Sequence, residues 1–168
     1  MTPAFQKAVN RVLSHEGGYV NNPLDPGKET IWGITARTAR KWGYKGDMRF
    51  MPRDTAVEIY EQEYWTPIRG DELPFYLSFP TFDAAVNSGP PQAIKWLQRS
   101  IGCVDDGIIG PATLYAAKAM PPIKTLLSMV EREEFQTNLP TWPAFGKGWC
   151  RRGNTNLRFF VEDFLENA

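Results

Sequence analysis

Four stretches of this chain open with proline where a helix can begin: Pro3, Pro90, Pro111 and Pro122. Proline fits the first helical position because the N–H it lacks has no intrahelical partner there, whereas inside a helix it breaks the ladder. The chain is thereby cut into short helices. Thr2 supplies a cap in front of Pro3, and Phe5, Val9, Val12 and Leu13 then share one face before Gly17 and Gly18 stop the run. A loop rich in turn residues follows from Tyr19 to Ile34, carrying Asn21, Asn22, Pro23, Asp25, Pro26 and Gly27. Thr35 caps a short helix predicted to reach Trp42, and a third helix is expected from about Asp54 to Trp65. Pro67, Gly70, Pro74 and Pro80 mark Thr66 to Pro80 as a connection. Further helices are expected over Phe82–Ser88, Pro90–Ile101, Pro111–Met120, Pro122–Phe135 and Leu157–Glu166. Only the loop after the first helix has room for strands, with Thr30, Ile31 and Trp32 as candidates. The predicted fold class is therefore mainly α, with at most a small β-hairpin after the first helix.

A chain of 168 residues fits one domain, 1–168, and a domain of that size buries about 70% of its unfolded surface without help from disulfides or metal. Nineteen basic residues balance nineteen acidic ones, which argues against a nucleic-acid partner, since such domains usually carry a basic excess. No run of eighteen apolar residues exists, so no membrane span is expected. Gln6, Lys7, Asn10 and Arg11 interrupt the apolar residues of the N-terminus, which is not a secretory signal. Synthesis in the cytoplasm is the expectation, with any export by another route. Cys103 and Cys150 are too few for a disulfide framework and have no companion ligands for zinc, so free thiols are expected and no metal or cofactor.

The chemistry concentrates where the first helix meets its loop. Glu16 stands at the helix C-terminus, where the dipole disfavours a carboxylate and raises its pKa. A carboxylic acid still protonated near neutrality is what a glycosidase needs to protonate its leaving group. Nine residues later Asp25, between Pro23 and Pro26, offers a second carboxylate on a stiffened loop, and Thr30 and Thr35 offer hydroxyls to hold a water. Paired carboxylates and a held water are the parts of glycosidic hydrolysis. The same residue types also serve as ordinary turn and cap residues.

His15-Glu16-Gly17-Gly18-Tyr19-Val20-Asn21, with Pro23, Asp25-Pro26-Gly27, Thr30 and Gly33-Ile34-Thr35, resembles the signature of glycoside hydrolase family 108, the phage and bacterial N-acetylmuramidases that cleave peptidoglycan. The resemblance implies a lysozyme-like helical domain with Glu16 as the catalytic acid. It is also similar to the phage-lysozyme triad of Glu, eight residues, Asp, five residues, Thr, except that Thr30 follows Asp25 after four. Thr30 and Thr35 therefore both remain candidates for the third role. Phe82-Asp83-Ala84-Ala85-Val86-Asn87-Ser88-Gly89-Pro90, Leu97-Gln98 and Asp106-Gly107-Ile108-Ile109-Gly110-Pro111 look like the peptidoglycan-binding segment that follows in that family. On the residues alone, these turns serve equally well to organise a helical core. The resemblance divides the chain into a catalytic-motif segment, 1–80, and a helical segment, 81–168.

Sugar rings present apolar C–H faces that suit flat, amphipathic side chains. Tyr19, Trp32, Tyr60, Tyr64 and Trp65 are the candidate substrate-binding aromatics, with Thr35 and Asn87 as polar partners, while Trp96, Trp142 and Trp149 read as core. His15 reads as a surface residue. Arg37, Arg40, Lys41, Lys45, Arg49 and Arg53 are interrupted only by Asp47 and Glu-free, a basic stretch that is either a face toward an anionic substrate or a solvated helix surface. The resemblance implies an endo-muramidase acting as a monomer on the β-1,4 bond between N-acetylmuramic acid and N-acetylglucosamine, with Asp25 activating water or stabilising the oxocarbenium-like transition state. A lytic transglycosylase and a non-catalytic wall-binding module are the alternatives.

Overall fold

The computed structural model describes residues 1–15, 18–21 and 29–166, leaving the side chain of His15 aside. Its contacts divide the chain into two units, Met1–Trp65 and Thr66–Ala168.

In the first unit, α1 (Pro3–His15) starts as its sequence predicts, with the Phe5 N–H donating to Thr2 Oγ1 at 3.3 Å. Its inner face, Phe5, Ala8, Val9 and Val12, is wholly buried. Three short antiparallel strands follow, β1 (Val20–Asn21), β2 (Glu29–Ile31) and β3 (Ile34–Thr35), one strand more than a hairpin. Trp32 and Gly33 make the tight β2–β3 turn with φ of 53° and 72°, the doubly positive pattern of a type I′ hairpin. An indole tolerates that backbone here because its Nε1–H donates to Met51 O at 3.0 Å, while the Trp32 carbonyl accepts the Tyr60 hydroxyl at 2.9 Å. α2 (Ala36–Trp42) ends on Gly43 at φ 101°, a left-handed position that glycine takes without a Cβ penalty. α3 (Arg53–Tyr60) widens into a π-turn over Glu61–Trp65, and Trp65 packs on Phe5 with ring centroids 5.4 Å apart.

The second unit is a helical bundle of α4 (Phe75–Ser88), α5 (Pro90–Ser100), α6 (Pro111–Ala119), α7 (Thr125–Thr137) and α8 (Trp142–Glu166). Two expectations are corrected here. The stretch up to Pro80 is not all connection: α4 begins at Phe75 and carries Pro80 in its interior, along a run of buried residues from Leu77 to Ala85. Burial of that whole face outweighs one missing ladder bond, a tertiary override of local preference. The last helix does not begin at Leu157 but runs for 25 residues through Gly146, Gly148 and Gly153. Packing supplies the reason: the Trp142 ring lies over Gly146 and the Glu133 carboxylate of α7 against Gly153, both where a side chain would otherwise stand. Trp142 and Trp149 are half-exposed and pack on each other at 6.0 Å, whereas Trp96 is core.

The interior of this bundle is organised by a charge that periodicity did not single out. Asp83 is fully buried and receives Arg132 at 2.7 Å, Arg152 at 2.8 Å and Asn156 at 2.6 Å. Burial alone pushes its carboxyl up, but the two guanidiniums overcome that and hold it below the usual carboxylate range. Nearby, Trp96 Nε1, Arg132 Nε and Asn156 Oδ1 have no hydrogen-bond partner among the described residues, and their residues line a cavity of about 20 Å³, room for about one water. Both cysteines are free, Cys103 half-buried and Cys150 exposed. No helix of the described residues is long and apolar enough to cross a membrane.

Candidate active site

Glu16 and Asp25 lie outside the described residues, so the site is built from the strands that flank them in sequence. Thr30 and Thr35 are direct cross-strand partners in the β2–β3 pair, which sets both on one face of the sheet. Their hydroxyls are employed differently. Thr35 is the N-cap of α2: its Oγ1 accepts the Thr38 N–H at 3.2 Å and lies 3.1 Å from Thr38 Oγ1. Thr30, half-buried and paired to Val20 on its other side, caps no helix.

Strand alternation turns the neighbours of Thr30 to the opposite face. There the Tyr19 hydroxyl donates to Glu29 Oε1 at 2.7 Å, and that bond holds the phenol above its ordinary range. Tyr19, Asn21 and Glu29 form one wall of an open cleft of about 590 Å³, whose other wall comes from the end of α2 and the turn after it. On that second wall Arg49 clamps Asp47 through both carboxylate oxygens, with Nε at 3.1 Å from each and Nη2 at 2.5 Å from Oδ2. Hydrogen bonds from the Arg49 side chain and backbone lower the Asp47 carboxyl to about 2, and Arg40 adds to the effect.

The remaining sequence candidates separate. Trp32 is half-buried at the hairpin turn. Tyr60 is fully buried, which corrects its assignment as a sugar platform: no ring face is exposed, and its hydroxyl instead fixes the Trp32 carbonyl. Tyr64 is half-buried, 5.7 Å from Tyr60 between ring centroids. Burial and the Glu63 charge raise its phenol, against a smaller opposing effect of the Thr38 hydroxyl. Asn87 is exposed on α4 in the second unit, its Nδ2 donating to Asp83 O at 2.8 Å in its own helix. Gln98, from the second sequence motif, is buried and binds its own loop: Nε2 donates to Asp106 Oδ1 at 2.7 Å and Ile108 O at 3.0 Å, and Oε1 accepts the Gly107 N–H at 2.9 Å. Among the described residues no group of three or more His, Cys, Asp or Glu gathers to hold a metal.

Short helices, a three-stranded sheet after the first of them and a threonine pair across its turn define a mainly α, lysozyme-like domain. The family model for glycosyl hydrolase 108 matches residues 9–89. Among solved structures, the chain is similar to SagA of Brucella abortus at 36% identity over 94% of each chain, with a TM-score of 0.86. No curated protein matches. The chain belongs to glycosyl hydrolase family 108 and is a glycoside hydrolase.

Proposed function

We propose that the protein is a peptidoglycan hydrolase of the N-acetylmuramidase type, cleaving the β-1,4 bond between N-acetylmuramic acid and N-acetylglucosamine. The observation that carries the reading is the family match over residues 9–89, with Glu16, Asp25 and Thr30 standing in order within it, supported by similarity to SagA over 94% of the chain. Glu16 protonates the glycosidic oxygen, Asp25 activates water or stabilises the oxocarbenium-like transition state, and Thr30 holds the water. The Thr30 assignment is favoured by the capping duty that occupies Thr35. Tyr19 and Trp32 flank the glycan, and the protein acts on the wall as an endolysin-type enzyme after release by a holin or another route.

The test is digestion of purified peptidoglycan followed by mass spectrometry. Hydrolysis produces new reducing ends at muramic acid. Products ending in 1,6-anhydro sugars assign lytic transglycosylation instead, and sedimentation with the wall without new ends assigns a binding module.

A further inference from the structure

Beyond Tyr19, the lining of the cleft on the Glu29 face of the sheet has no part in this mechanism. It carries three cations, Arg40, Lys45 and Arg49, and two carboxylates, Glu29 and Asp47. Direct pairing leaves the cations in excess. Arg49 is taken by Asp47, and Glu29 receives the Tyr19 hydroxyl. Arg40 spends Nη1 on the carbonyls of Tyr44 and Gly46, at 2.7 and 2.9 Å, which holds the guanidinium in place without cancelling its charge. Lys45 is exposed, and among the described residues no carboxylate pairs with it.

We propose that this cleft binds the peptide stem carried by the muramic acid of the substrate, with Lys45 and Arg40 receiving its carboxylates; the proposal rests on the peptidoglycan reading above. Location supports it, because Tyr19 stands three residues from Glu16 and Glu29 four from Asp25, and a residue spans at most about 3.6 Å. A stem joined to the sugar beside the scissile bond is therefore within reach of the cleft. Composition supports a peptide over a polyphosphate. Glu29 and Asp47 repel a dense anion, but Glu29 accepts an amine and Asn21 matches a peptide group, so a chain bearing carboxylates and an amine finds complements on both counts. The basic stretch from Arg37 to Arg53 thereby acquires a use at Arg40 and Lys45.

The experiment compares kcat/KM on soluble glycan strands bearing stems with kcat/KM on the same strands stripped by an amidase, which leaves the lactyl carboxylate on the sugar. The expected result is a preference for stem-bearing strands that weakens with added salt. In Lys45→Ala that preference falls about three- to fivefold, the size of an exposed ion pair, and Lys45→Arg restores it. A preference unchanged in Lys45→Ala, or wild-type protein that favours stripped strands, overturns the proposal. Wild-type protein that releases no ends from either substrate refutes the peptidoglycan reading instead, so the two failures are distinguishable.

Discussion

Thr30 and Thr35 face one another across the β2–β3 turn, yet only Thr35 is bound into the fold as a helix cap. The pairing sorts two hydroxyls that are equivalent in sequence. Thr35→Val removes the acceptor for the Thr38 N–H and is expected to cost about 1 kcal/mol of stability, read as a lowered midpoint in urea. Thr30→Val leaves the midpoint nearly in place and reduces turnover of peptidoglycan. If Thr35→Val keeps full stability and loses activity while Thr30→Val is silent, the two roles are exchanged.

In the proposed mechanism Glu16→Gln removes the proton donor. The variant is expected to keep the wild-type circular dichroism spectrum and to lose about 100-fold or more of the rate of reducing-end release, the usual contribution of general acid catalysis. Wild-type turnover in this variant would remove Glu16 from the mechanism.

Asp83→Ala leaves two buried or half-buried guanidiniums and a buried amide facing a hole. Removing one member of a buried ion cluster costs about 3–5 kcal/mol, enough to be seen directly as a fall in melting temperature. Asp83 also sets an acid limit. Its folded pKa is depressed below the unfolded value, so the unfolded chain binds the proton more tightly. The stabilisation is complete above the ordinary carboxylate pKa of 3.8 and is lost as pH falls through the folded value. Asp83→Asn should flatten the acid limb of the stability–pH curve; an unaltered limb would assign acid sensitivity to other groups.

Gln98→Ala tests what the Asp106–Gly107 motif does. The buried amide satisfies a carboxylate, a carbonyl and a backbone N–H in one loop. Its removal strands the Gly107 N–H and opens a void, at a cost of about 2–4 kcal/mol. Thermal denaturation checks this. A variant as stable as wild type that no longer sediments with peptidoglycan would move Gln98 from loop anchoring to wall binding.

What the sequence determined by itself was local. Thr2 before Pro3, Gly110 before Pro111, Thr35 before Ala36 and Gly43 after Trp42 mark helix ends because capping and proline geometry depend on neighbours within a few residues. The run from His15 to Thr35 was legible for the same reason, as a family signature read in one stretch of chain. The tertiary structure decided everything that needed a distant partner. Pro80 lies inside α4 because the buried face around it outweighs one lost hydrogen bond, and α8 crosses three glycines because Trp142 and Glu133 pack over two of them. Tyr60 has no exposed face because its hydroxyl reaches Trp32, and Asp83 carries a charge in the core because Arg132, Arg152 and Asn156 arrive from helices far along the chain. Periodicity and propensity describe what one segment favours alone; burial and charge pairing are properties of segments together, and only the folded chain brings them to the same place.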